Sequence, residues 1–197
     1  MTALFASIIF VFFGAPIVTA QNLDSQPPRD YRSHLQASPQ FMILQAGPVR
    51  IQAYGADFTM WYRLTDKWDA GMSIQQVLSV RTGGAALMSA VNIKGRWHLL
   101  GGGIPSDHRW TQSGITRIIQ TKGLEGGLSM AFSIEQVSFN AGIATRSYSG
   151  FGAMLEYEHP YSPTQSIILG AGIARLTNGP NKLIPIRIQG GWQIYFD

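Results

Sequence analysis

The residues of this chain best suited to chemistry are its four histidines, a Ser106-Asp107-His108 run and a Gly101-Gly102-Gly103 run. A nucleophile, a base and an orienting carboxylate act together when a fold gathers them from separate elements. Three adjacent residues of one loop do not form such a relay, so Ser106, Asp107 and His108 read as a solvated loop. His98 and His108 have no carboxylate or further histidine at zinc-ligand spacing. His34 stands alone in a polar, Pro-containing stretch and reads as solvated. The glycine run lacks the Lys-Ser/Thr pair and the helix of a phosphate loop, and no EF-hand, zincin or dinucleotide pattern is present. No catalytic residue, metal site or cofactor is expected.

A second set of residues is ionic. Arg81, Lys94, Glu125, Arg146, Glu156, Glu158 and Arg187 fall on the polar phase of alternating segments, so in a sheet they share one face. Enclosed charges of both signs have to pair, because an isolated buried charge is costly. A structural ion-pair network is the expectation, and a selectivity filter for a small polar solute is the alternative.

Those residues need a scaffold, and composition narrows it. Of 197 residues, 45% are hydrophobic and 13% charged, against about 25% charged in a soluble domain. Fifteen Lys and Arg against 11 Asp and Glu leave a formal charge of +4 without any basic block, which argues against nucleic acid as a partner. The lack of cysteine removes disulfides, thiol chemistry and a lipid-modified N-terminal cysteine.

Along the chain, residues 3–13 are an apolar run followed by Val18-Thr19-Ala20, the pattern of a cleaved signal peptide over residues 1–20. Residues 21–46 are rich in Gln, Ser and Pro and read as an irregular leader on the periplasmic side. Residues 47–197 form one domain of alternating segments. No later run reaches the roughly 18 apolar residues of a membrane helix. Alternation is clear in 70–81, 124–134, 137–146, 151–158, 167–175 and 184–196, and weakest in 112–121. In 49–64 the apolar phase slips near Gly55, which suggests a bulge. Lys94-Gly95 reads as a hairpin turn. The total is about ten strands of about 9–13 residues, with eight as the other count, long enough to cross a bilayer when tilted.

The cleanest strand is the last. Ile184, Ile186, Ile188, Gly190, Trp192, Ile194 and Phe196 alternate with Pro185, Arg187, Gln189, Gly191, Gln193 and Tyr195. This stretch resembles the C-terminal strand of bacterial outer-membrane β-barrels, which closes the barrel and ends on an aromatic residue; here Asp197 follows Phe196. The resemblance implies an all-β, antiparallel, up-and-down transmembrane barrel in the cell outer membrane. Its partners would be outer-membrane lipids and, through the last strand, the barrel-assembly machinery, with the oligomeric state left open. Trp97, Phe151, Tyr157, Trp192 and Phe196 would lie at the membrane interfaces. The expected role is structural or weakly pore-forming and not enzymatic. The alternatives are a lipid-modifying outer-membrane enzyme and a soluble periplasmic ligand-binding β-barrel. None of the Ser or His residues above sits in a motif of the lipid A acyltransferases or deacylases.

Overall fold

Strict alternation commits one face of each strand to each side of a sheet, and a sheet of such strands has two unpaired edges unless it closes. Here it closes. A computed structural model describes residues 33–65, 67–81, 84–100, 127–141, 144–162 and 165–196. These form β1 (Ser33–Ala46), β2 (Val49–Thr65), β3 (Trp68–Arg81), β4 (Gly84–Leu100), β5 (Gly127–Ala141), β6 (Ala144–Ser162), β7 (Gln165–Asn178) and β8 (Asn181–Phe196). Every strand pairs antiparallel with its sequence neighbour, and β1 pairs with β8 to complete the barrel.

The barrel has eight strands, the lower of the two expected counts. Lys94-Gly95 is not a turn; it lies inside β4, where the ladder runs through it to Gly71 on one side and Ser133 on the other. A Cβ on Gly95 would meet nothing within 4 Å, so its glycine marks no bend. The segments expected at 124–134 and 137–146 are redistributed: β5 continues through Glu135-Gln136 to Ala141, and β6 begins at Ala144. The irregular leader is corrected as well. From Ser33 the chain is β1, with every position to Ala46 paired to β2. The expected signal peptide and the 112–121 strand lie outside the described residues.

The two ends of the barrel differ. Both termini of the barrel, the β2–β3 turn, the β6–β7 turn and the long 101–126 connection emerge at one end, the terminus end. The other end, the hairpin end, carries the four short connections between β1 and β2, β3 and β4, β5 and β6, and β7 and β8. The β1–β2 and β7–β8 connections are Gly-Pro turns, with Gly47 at φ +58° and Gly179 at φ +55°, the left-handed conformation that glycine supplies without steric cost.

The interior also changes along the axis. Toward the hairpin end it is an apolar plug of Met42, Leu44, Ala53, Val77, Met88, Ala90, Val137, Ala174, Leu176 and Leu183, with Ile51, Phe139 and Tyr148 packed against it. Toward the terminus end it is polar. This accounts for the phase slip in β2, where no bulge occurs near Gly55. Ile51 and Ala53 point inward into the plug, whereas Phe58, Met60, Tyr62 and Leu64 point outward.

The outer wall is apolar over most of its height. Ile74, Val91, Ile93, Phe151, Leu169 and Ile188 all stand exposed, Phe151 at 71%. This is the reverse of a soluble ligand-binding barrel, which turns its apolar face inward.

Candidate functional site

The polar part of the lumen is built from inward positions of all eight strands. β1 contributes His34, Gln36, Ser38 and Gln40, β2 Asp57 and Thr59, β3 Asp69, Ser73 and Gln75, and β4 Asn92, Arg96 and His98. Ser129 and Glu135 come from β5, Glu156 and Glu158 from β6, Ser166 from β7, and Arg187, Gln189 and Gln193 from β8. All are buried, so each charge needs a partner at once.

Three ion pairs organise the interior. At mid-height, Arg187 makes a two-pronged contact with Glu135, one prong being Nη1 donating to Oε1 at 2.7 Å. Ser133 also donates to this carboxylate at 2.7 Å. Lys94 donates to Asp57 and, at 2.9 Å, to the Thr59 hydroxyl. Nearer the terminus end, Arg96 donates through Nε to Glu156 at 2.8 Å and through Nη1 to Gln193 at 3.0 Å. Its guanidinium also donates to Gln36 and lies over the Trp61 ring, 4.1 Å from the centroid. Trp61 in turn donates to the same Gln36 oxygen at 2.9 Å.

Two further carboxylates complete the network. Asp69 sits 2.8 Å from His98 Nε2 and 3.6 Å from His34 Nε2, with Arg63 Nε at 3.4 Å. Glu158 accepts from Tyr195 and, at 2.7 Å, from Ser166.

The sequence-derived residues separate into groups. Lys94, Glu156, Glu158 and Arg187 are in the lumen, and Arg187 pairs with Glu135, a carboxylate outside the expected ionic set. Glu135 falls in the gap between the expected segments 124–134 and 137–146. Arg146 is exposed at the hairpin end and has no part in the network. Arg81 closes β3 at the same end; its side chain, like all of Glu125, lies outside the described residues. His34, expected to be solvated, is fully buried. Asp57, Asp69, Arg96 and Glu135 were missed. Reading β4 straight through Lys94-Gly95 would have put Met88, Ala90, Asn92, Lys94, Arg96 and His98 on one inward phase.

The aromatics form two outer bands. Trp97, Tyr157, Trp192 and Phe196 lie toward the terminus end, where Trp97 stacks on Trp68 with ring centroids 5.9 Å apart. Phe151 lies toward the hairpin end, opposite Arg175 in the ladder, as does the tilted ring pair Phe41 and Tyr54.

A serine, an imidazole and a carboxylate do follow one another across β5, β4 and β3, since Ser129 lies opposite His98 and His98 contacts Asp69. All three are buried, at 5%, 5% and 1% exposure. His98 faces the lumen and not the outer surface, where a lipid-modifying enzyme would need it; Ser106 and His108 lie outside the described residues. No group of three His, Asp or Glu suited to a metal occurs among the described residues. One small cavity of about 20 Å³ lies at mid-height beside Gln40, Asp57, Gln75, Lys94, Glu156 and Arg187. That is space for a water and not for a solute.

No protein-family model and no curated protein matches the sequence. Solved structures do match. Neisserial surface protein A superposes with a TM-score of 0.62 at 10% identity, over 83% of this chain and 97% of that one. The fold is that of the small bacterial outer-membrane β-barrels. OprG of Pseudomonas aeruginosa matches with a TM-score of 0.51 at 7% identity, over 87% of this chain and 99% of that one. Ail of Yersinia pestis, in complex with the heparin analogue sucrose octasulfate, matches with a TM-score of 0.51 at 9% identity, over 84% and 100%. Within this barrel fold, the filled interior and the short connections of the hairpin end are what the present chain's own residues specify.

Proposed function

We propose that this protein is an integral outer-membrane barrel that does not conduct, a lipid-embedded wall with its termini on the periplasmic side. One observation carries the reading. The wall turns isoleucines, leucines and aromatics outward while its interior is filled along its length, by apolar side chains at the hairpin end and by paired charges elsewhere. Outward apolar residues favour lipid, and an eight-stranded barrel is narrow enough for side chains to fill. The aromatic bands fit the two interfaces of a bilayer. Strands of 14 to 19 residues exceed the roughly 9–11 needed to cross, which leaves part of the barrel outside the hydrocarbon. The β8 strand is the natural element for recognition by the barrel-assembly machinery.

The test is twofold. Heat-modifiable gel mobility together with resistance to alkaline extraction from outer membranes would support the location; extraction by alkali would overturn it. In planar bilayers the folded protein is expected to show no stepwise conductance, and resolved channel events would overturn the closed-lumen reading.

A further inference from the structure

The topology gathers charge that the sequence disperses. The four hairpin-end stretches are residues 43–52, 78–90, 137–149 and 174–186. They contain Arg50, Arg81, Arg146, Arg175 and Lys182 and no Asp or Glu. Among the described carboxylates, Asp57, Asp69, Glu135, Glu156 and Glu158 are all buried in the lumen with partners of their own. Arg50, Arg146, Arg175 and Lys182 are exposed, and none of the four is ion-paired with a described residue.

Three of these cations point outward on β2, β7 and β8, within a run of four adjacent strands closed by β1. Arg50 follows the outward phase of Tyr54 and Phe58, Arg175 that of Leu169 and Ile173, and Lys182 that of Ile186 and Ile188. Around the wall, Arg175 on β7 is followed by Lys182 on β8, then Gln45 on β1, which lies opposite Arg50 on β2. One or two outward positions toward the terminus end, the same faces carry the exposed Ile173, Ile186 and Tyr54. The cations therefore sit at the border where the apolar belt ends. Nearby outward positions are also polar, including Gln52, Gln136, Ser147, Ser149 and Thr177.

We propose that this collar, centred on Arg50, Arg175 and Lys182 with Arg146 at the rim, binds the phosphate groups of the membrane's own lipids in the leaflet at the hairpin end. The inference rests on the membrane reading above. A guanidinium matches a phosphate with two parallel hydrogen bonds, and lysine supplies a mobile point charge. Continuity with the lipid-facing belt favours a lipid headgroup over a soluble anion. A phosphate at the belt's upper edge meets the cations while its acyl chains lie along Ile173 and Ile186.

The test uses the full-length protein in detergent micelles, titrated with lipid A, with dephosphorylated lipid A and with inorganic phosphate, folding being checked by heat-modifiable mobility. The wild type is expected to bind lipid A in preference to the dephosphorylated form, and more weakly as salt rises. The combined variant R50Q/R146Q/R175Q/K182Q is expected to fold and to lose about tenfold or more in lipid A affinity, the sum of four modest exposed charge contacts. K67Q, at the other end, is expected to bind as wild type. Equal binding of both lipid A forms, unchanged binding by the combined variant, or inorganic phosphate competing at equal concentration would overturn the proposal. A wild type that lacks heat-modifiable mobility, or that alkali extracts from membranes, would instead sink the membrane reading.

Discussion

Arg187 and Glu135 meet side by side across the lumen, from strands that are not neighbours, in a two-pronged contact whose Nη1–Oε1 arm is 2.7 Å. The pair ties β8 to β5 through the middle of the barrel. Because both groups are buried, Arg187→Met should strand the carboxylate and cost about 3–5 kcal/mol, whereas Arg187→Met with Glu135→Met should recover most of that loss. Urea unfolding of the folded protein in micelles, followed by gel mobility, checks both values. A double variant as unstable as the single one would contradict a paired-charge role.

Asp69 gathers His98, His34 and Arg63 at the terminus end. Asp69→Ala should remove the buried carboxylate that His98 and Arg63 contact and lower stability by about 3–5 kcal/mol. Asp69→Asn, which keeps an acceptor oxygen, should cost less. The same unfolding measurement compares the two, and equal losses would show that hydrogen-bond acceptance contributes little there.

Depth along the outer wall should be readable by arginine substitution. Ile93→Arg, in the apolar belt, should destabilise by about 2–4 kcal/mol, and Gln136→Arg, in the polar collar, by about 0–1 kcal/mol. Folding yields into phosphatidylcholine vesicles provide the readout. Equal effects at the two positions would place the hydrocarbon boundary elsewhere.

Gly55 and Gly95 separate two uses of glycine. A Cβ on Gly55 would lie 1.9 Å from the Gln76 carbonyl oxygen, whereas one on Gly95 would meet nothing within 4 Å. Gly55→Ala should therefore force β2 and β3 apart and cost about 1–3 kcal/mol or more. Gly95→Ala should be tolerated. Thermal loss of the compact gel band distinguishes them.

Much of the wall was legible because a lipid face and a lumen face impose an unbroken period of two, as in 184–196. The exceptions have physical causes. β1 was hidden because Pro39 sits in it and because its inward positions change from His34, Gln36, Ser38 and Gln40 to Met42 and Leu44, so no single apolar phase runs through it. Pro39 is accommodated where the β1–β8 pairing skips from Ala37 to Gln40, a place where no ladder N–H is required. The slip in β2 has the same origin as the switch in β1: both strands pass from the plug into the polar lumen. Lys94, Glu156, Glu158 and Arg187 could be placed by phase alone. Their partners could not, because Glu135 and Arg187 or Arg96 and Glu156 are matched across the barrel, and phase carries no information about what lies opposite.

The 101–126 connection splits the eight strands into a half from β1 to β4 and a half from β5 to β8. Within each half every pairing is a local hairpin step, and only two seams, β4–β5 and β1–β8, join the halves. The contacts that hold the two halves together, Arg96 with Glu156 and Gln193 and the ladders of the two seams, therefore do not depend on the covalent link between Leu100 and Gly127. The barrel is in effect a heterodimer of two four-stranded sheets written on one chain. A protein nicked within 101–126, or made as two co-folded pieces, is expected to retain its compact gel mobility.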